Sequence, residues 1–214
     1  MFFDPYINSS RLTSVVSYAR IFTAVPKAPA VDVYLNNKIV ARNLRFGNFT
    51  EYLSLESGNY QVQIFAAGNR NNLLLKENLY VSPSSIYTIA AIGYISKIEL
   101  LPILEPKGPV IPGKFFIRFG HLSPNSPSVD LTLNDGRKLF TNVAYKKITG
   151  YIPLSPGTYN FKLFASSTGD LVLNIPNINL IGNRFYSIYA IGLLGDNPPL
   201  QVVIPLDGNS YLKF

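Results

Sequence analysis

Laid over itself, the chain repeats. Residues 20–37 align with residues 118–135 at a shift of 98, sharing Arg20/Arg118, Pro26/Pro124, Pro29/Pro127, Val31/Val129 and Asp32/Asp130. After a one-residue insertion the shift becomes 99, and Asn43, Thr50, Tyr52, Gly58, Tyr60 and Phe65 match Asn142, Thr149, Tyr151, Gly157, Tyr159 and Phe164. A third block sets Tyr87–Gly93 over Tyr186–Gly192. The three ungapped blocks hold 20 identities in 49 aligned positions, so the chain is a tandem duplication. Any fold proposed for it must therefore fit twice into 214 residues.

Between the copies runs Glu105-Pro-Lys-Gly-Pro-Val-Ile-Pro-Gly-Lys114. Proline lacks an amide donor and fixes φ, so this stretch is excluded from helix interiors and central strands and reads as a semi-stiff connector. The predicted division is a first domain over 16–105, a linker over 106–114 and a second domain over 115–206. Within each copy the apolar period is two, as in Val31-Asp-Val-Tyr-Leu35 and Tyr159-Asn-Phe-Lys-Leu-Phe164. Asn36-Asn37 and Asn134-Asp135-Gly136 suit hairpin turns, because Asn, Asp and Gly tolerate positive φ. Strands are predicted near 18–23, 31–35, 38–41, 49–54, 60–66, 73–81, 86–93 and 98–103, and again in the second copy. The fold class is all-β: two tandem Ig-like antiparallel β-sandwich domains. Tyr60 and Tyr159, each two residues after a turn glycine, resemble corner tyrosines whose hydroxyls tie back to nearby backbone.

Composition narrows the chemistry. With no Cys and one His, disulfides, thiolate nucleophiles and His-cluster metal sites are excluded. The net charge is +7, yet the basic residues are scattered instead of clustered in a stripe, so nucleic acid is not a predicted partner. The 12 acids form no calcium loop. Glu51, Glu56, Glu77 and Glu99, the carboxylates open to glycosidase pairing, have no acidic match in the second copy. No G-x-S-x-G elbow or glycine-rich phosphate loop occurs, so an enzyme is not predicted, nor any cofactor. The start lacks a basic n-region, and the longest apolar run, Ile86–Ile95, is about half of what a spanning helix needs. Neither a signal peptide nor membrane insertion is predicted, which leaves a soluble chain of undetermined compartment.

The second copy, with Arg118, His121, Ser123, Pro124, Asn125, Pro127, Val129, Asp130, Gly157, Tyr159 and Tyr186–Gly192, resembles a bacterial family known as a domain of unknown function, DUF4397. The first copy keeps Arg20, Pro26, Pro29, Val31 and Asp32, but places Thr23 and Val25 where the pattern has His and Ser. The resemblance implies Ig-like sandwiches in tandem, often on surface or secreted proteins, and it implies no activity.

Seven residues are candidates for binding. Arg20 with Asp32, and Arg118 with Asp130, read either as a ligand-binding pair repeated in each domain or, more simply, as an intradomain ion pair or turn cap. His121 reads as a general base with Asp130 or a single ligand; the simpler reading is a strand-end imidazole bonded to a neighbouring carbonyl, since the first copy manages with Thr23. Tyr94 and Tyr145, less tied to the repeat, are candidates for a sugar-stacking platform. Phe2, Phe3, Tyr211 and Phe214 read as tail packing onto the domains or between protomers, and Tyr6 joins the aromatics less tied to the repeat. The expected role is a non-catalytic module for protein contact or self-association in a cell-surface or spore layer. Glycan binding through exposed Tyr and the loops 23–30 and 121–128 is the alternative.

Overall fold

The computed structural model describes residues 16–106, 108 and 110–212; Phe2, Phe3, Tyr6 and Phe214 lie outside the described residues. The first copy builds β1 (Ser17–Thr23), β2 (Val31–Leu35), β3 (Lys38–Leu44), β4 (Leu53–Leu55), β5 (Gly58–Ala66), β6 (Leu73–Val81), β7 (Ile86–Tyr94) and β8 (Lys97–Leu104). The second builds β9 (Phe115–His121), β10 (Val129–Leu133), β11 (Lys138–Val143), β12 (Ile152–Leu154), β13 (Gly157–Ala165), β14 (Leu171–Leu180), β15 (Phe185–Ile191) and β16 (Gln201–Val203). Each copy is a two-sheet sandwich, β4-β1-β7-β8 against β3-β2-β5-β6, and β12-β9-β15-β16 against β11-β10-β13-β14.

The all-β, two-sandwich expectation holds. Antiparallel pairing is corrected at one place in each copy: β1 runs parallel to β7, and β9 to β15. A parallel pair needs a long crossover, and here five strands intervene, enough to carry the chain through both sheets and back. The strand order also differs from that of an immunoglobulin domain, where the first, second, fifth and fourth strands share a sheet. The local signals are met. Asn36 and Asn37 have φ of 47° and 65°, and the corner hydroxyls of Tyr60 and Tyr159 donate to the carbonyls of Glu56 (2.9 Å) and Ser155 (2.6 Å). Within the sheets proline falls on the edge strands, as Pro102 in β8, Pro153 in β12 and Pro176 in β14, where a missing donor costs no internal ladder bond and discourages pairing with another chain.

Each sandwich has its own core, one around Ile21, Val33, Ile64 and Ile89, the other around Phe119, Leu131, Leu163 and Ile188. A third core joins them. Phe22, Ala90, Ile92 and Ile103 of the first copy pack with Leu122, Tyr189 and Ile191 of the second. The β4-β1-β7-β8 and β12-β9-β15-β16 sheets thus bury both of their faces, and the molecule is a stack of four layers. Burial on both sides explains why β1, β7, β9 and β15 are buried at nearly every position instead of at alternate ones, polar residues such as Arg20 and Arg118 included.

The third core is fitted by exchange of bulk. Gly120 stands where the first copy has Phe22, and Tyr189 where it has Ala90. A Cβ at Gly120 would lie 2.6 Å from the Tyr189 ring, so the glycine makes the hole that the tyrosine fills. Phe22 in turn stacks on Phe49 with centroids 4.0 Å apart and lies 5.5 Å from the Tyr189 ring.

Candidate functional site

The duplicated arginines converge on this inner seam. Arg20 and Arg118 are 4% and 2% exposed, and they meet two carboxylates, Glu105 and Asp207, that are 1% and 0% exposed. The Nε–H of Arg20 donates to Thr88 Oγ1 (2.8 Å), whose hydroxyl donates to Glu105 Oε1 (2.7 Å). In the second copy Arg118 Nε–H donates to Ser187 Oγ (2.6 Å), whose hydroxyl donates to Asp207 Oδ2 (2.6 Å). Tyr52 donates to Glu105, and Tyr151 to Asp207. Each guanidinium also lies over its own copy's tyrosine ring, Arg20 over Tyr52 at 4.8 Å and Arg118 over Tyr151 at 4.7 Å. The network is pseudo-twofold.

Its cross-links run between copies. Arg20 Nη1–H donates to the Leu206 carbonyl (2.8 Å) and Arg118 Nη1–H to the Leu104 carbonyl (2.7 Å). Arg20 Nη2 reaches Asp207 at 2.8 Å and Glu105 at 3.6 Å; Arg118 Nη2 lies 3.6 Å from Asp207 and donates to Tyr189 Oη at 3.4 Å. Two cations and two anions are buried together, which is how charge is retained without water. Burial pushes the Glu105 carboxyl up, the Asp207 charge adds to that, and Arg20 opposes it. Burial would lower both guanidinium pKa values, but the facing acids and tyrosines hold Arg20 and Arg118 above their usual range. Tyr52 and Tyr151 are pushed up chiefly by burial. The arrangement gives every buried charge of the seam at least one hydrogen-bonded partner.

Arg20 therefore does not pair with Asp32, nor Arg118 with Asp130. The reading of an intradomain Arg–Asp pair is corrected: side chains alternate along a strand, and the arginines face the seam while the aspartates lie on the outer sheets. Asp32 accepts the amides of Asn43 (2.9 Å) and Gly68 (2.9 Å), and these bonds, the Gly68 amide first, hold its pKa down. Asp130 accepts the Asn142 amide (2.8 Å), the Ser166 hydroxyl (2.5 Å) and Lys138 Nζ (2.8 Å). Burial alone would raise it, yet those bonds keep it at about 2. Both Asn43 and Asn142 sit at positive φ, 51° and 50°, so each aspartate clamps a kink in the neighbouring strand.

His121 is fully buried. Its Nε2–H donates to the Pro127 carbonyl (2.9 Å), which leaves Nδ1 to accept the Ser123 amide (3.4 Å). Burial lowers its pKa, against the Pro127 bond. The ring staples the Ser123–Pro127 loop, and Ser123 Oγ–H closes it further onto the Gly192 carbonyl (2.7 Å). Asp130 is not among the hydrogen-bond partners of its ring nitrogens. Tyr145 is half-buried in the third core, where burial and the Glu99 charge raise its pKa to about 12. Tyr94 is 45% exposed and lines a pocket of about 250 Å³ at the seam with Pro26, Lys27, Asn125 and Asp196. Of the two tyrosines Tyr94 is thus the more exposed. Among the described residues no three His, Asp or Glu side chains cluster as metal ligands, and no helix is long and apolar enough to cross a membrane.

Thr88, Ser187, Glu105, Asp207, Tyr52 and Tyr151 are partners that sequence reasoning left unassigned. Thr88/Ser187 and Tyr52/Tyr151 lie inside the repeat blocks, where a conserved polar group on an apolar strand is the available signal. Glu105 is the last residue of the predicted first domain, at the start of the connector, and Asp207 lies just past the predicted second domain. Their equivalence is hidden because Glu105 follows Ile86 by 19 positions and Asp207 follows Phe185 by 22, although both amides donate to the matching carbonyls of Ile86 and Phe185.

A family model described as "Domain of unknown function (DUF4397)" matches residues 17–132 and 123–210. No curated protein matches the chain. Among solved structures, the C-terminal domain of AlgF from P. aeruginosa is 22% identical, covering 44% of this chain and 98% of that one, with a TM-score of 0.32. A CBM26 module of Eubacterium rectale Amy13K in complex with maltoheptaose is 13% identical, covering 88% and 96%, with a TM-score of 0.29. A structure titled "Alpha-glucan binding by a streptococcal virulence factor" is 13% identical, covering 92% and 100%, also at 0.29. At such scores the likeness carries no functional argument.

Proposed function

Since the chain belongs to the DUF4397 family, in two fused copies of a domain of unknown function, we propose that it is a non-catalytic scaffold that binds a protein partner in a bacterial envelope or spore layer. One observation supports this most directly: the buried arginines repeated in the two copies are spent on fastening the sandwiches to each other, Arg20 on Asp207 and the Leu206 carbonyl, Arg118 on the Leu104 carbonyl. The only histidine is likewise held inside a loop. What remains for recognition is the outer surface, including the exposed apolar side chains Leu73 and Tyr80 on edge strand β6, 47% and 58% exposed. Apolar groups presented on a rigid face suit protein contact. His121, Leu122 and Ser123 of the loop 121–128 are buried and Tyr145 packs against the third core, which leaves less of that end for glycan binding than its sequence suggests.

The test is affinity capture from the source cells with the intact chain, beside a chain carrying Leu73→Ser and Tyr80→Ser. A stoichiometric protein captured by the first and lost by the second is the expected result. Equal capture by both would move the contact elsewhere, and turnover of an ester or glycoside panel by the purified chain would overturn the non-catalytic reading.

A further inference from the structure

The outer sheets differ at one place. On β2, Tyr34 stands opposite Ile39 and Gln63; on β10, its equivalent Thr132 stands opposite Lys138 and Lys162. In the first copy the Tyr34 ring meets the Phe65 ring edge-on at 5.4 Å, and the Arg70 guanidinium caps both, 4.5 Å from the first and 5.8 Å from the second. Tyr34 and Phe65 are buried by this arrangement. The second copy keeps the Phe65 equivalent, Phe164, but Thr132 supplies no ring, and the hairpin after β13, Ser166-Ser167-Thr168-Gly169-Asp170, supplies no arginine. The space left is a cleft of about 300 Å³ lined by Phe164, Thr132, Lys138, Lys162, Asp130 and Ser166.

The lining specifies a ligand. Phe164 offers an aromatic surface where the first copy covers the equivalent Phe65 with Tyr34 and Arg70. Lys162 has no ion pair among the described residues, whereas the oxygens of Asp130 are taken by Asn142, Ser166 and Lys138. The free charge of the cleft is thus positive. A second pocket shares Asp130 and Ser166 with it and continues along Ser128, Thr141, Asn142 and Ser167. Hydroxyls and an amide in a row match a polyhydroxylated chain, as small polar groups do in sugar sites built beside an aromatic face.

We propose that this cleft binds an acidic sugar unit of a polysaccharide: the ring stacks on Phe164, the carboxylate meets Lys162, and the next unit lies along Ser166 and Thr141. The proposal rests on the scaffold reading only in placing recognition on an outer sheet.

The test is calorimetric titration of the intact protein with a galacturonic acid tetramer, beside maltotetraose and dextran sulfate. Lys162→Gln and Thr132→Tyr install residues that the first copy already carries at these positions (Gln63, Tyr34), so both are suited to fold. The uronate tetramer should bind with a 1:1 ratio and maltotetraose at least tenfold more weakly. Lys162→Gln should lose roughly tenfold or more in affinity, as expected for one charge-assisted contact, and Thr132→Tyr should abolish binding by filling the cleft. No binding of the uronate, equal binding of maltotetraose, or binding matched by dextran sulfate and indifferent to both variants would each overturn the site. If the uronate titration is blank while the protein partner is still captured, this site fails and the scaffold reading stands.

Discussion

The inner and outer faces of the two sandwiches have parted to different degrees. At the seam Arg20, Tyr52, Thr88 and Glu105 of one copy answer Arg118, Tyr151, Ser187 and Asp207 of the other, with matching Nε, hydroxyl and tyrosine bonds and matching stacking, and differ at the Nη2 groups. On the outer sheets the Tyr34–Phe65–Arg70 cluster of one copy has become an open cleft over Phe164 in the other. A buried charge that loses one partner becomes an unpaired ion in a dry environment, so the seam resists single changes. An outer-face residue that shrinks exposes a neighbour to water, which costs far less and leaves room for a ligand. The seam is built for permanence, the outer face for variation.

Breaking the seam should have the largest effect. Asp207→Ala would leave two guanidiniums to share one carboxylate, and the expected loss is about 3–5 kcal/mol of unfolding free energy by urea denaturation at neutral pH. A loss under about 1 kcal/mol would mean that water enters the network.

Next comes the exchange of bulk between copies. Gly120→Ala should cost about 1–3 kcal/mol through overlap with Tyr189. Combined with Tyr189→Ala, which restores the first copy's Ala90, it should cost less than the two single changes added together. Strict additivity in that double-mutant cycle would contradict the fit.

Acid titration sharpens the contrast between the copies. The neutral His121 has a lowered pKa in the fold, so its contribution is present above the unfolded value of about 6.5 and is lost as pH falls below it. His121→Thr, the first copy's choice, should flatten the stability profile below about pH 6.5. Asp130 is also held low, at about 2, so its contribution is present above about pH 3.9 and disappears between there and about pH 2. Asp130→Asn should remove that acid limb, read from melting temperature against pH.

The smallest effect is expected at the corners. Tyr159→Phe and Tyr60→Phe each delete one exposed hydroxyl bond and should cost about 0.5–1.5 kcal/mol, equal in the two copies within error. A loss confined to one copy would show that the corners are not equivalent supports.

Much of the fold was legible because its signals are local. Period-two runs marked the strands, Asn36-Asn37 marked a hairpin, and the glycine before Tyr60 marked a corner. The site was legible only as a set of repeated residues. Arg20 and Asp32 sit twelve positions apart, so sequence suggested a pair; the true partner, Asp207, lies 187 positions away in the other copy. Sequence spacing cannot report which of two similar sheets a strand will face. The parallel pairing of β1 with β7 was hidden for the same reason, since no turn joins them.

By itself, the sequence determined the duplication, the all-β class, the turns and the corner tyrosines, because each depends on backbone preferences within a few residues. Only the tertiary structure decided that the two sandwiches share a third core, that Arg20 and Arg118 serve the opposite copy's carbonyls, and that an outer face filled in one copy lies open in the other. Those outcomes follow from packing between residues far apart in the chain, where desolvation and volume, rather than local propensity, select the partner.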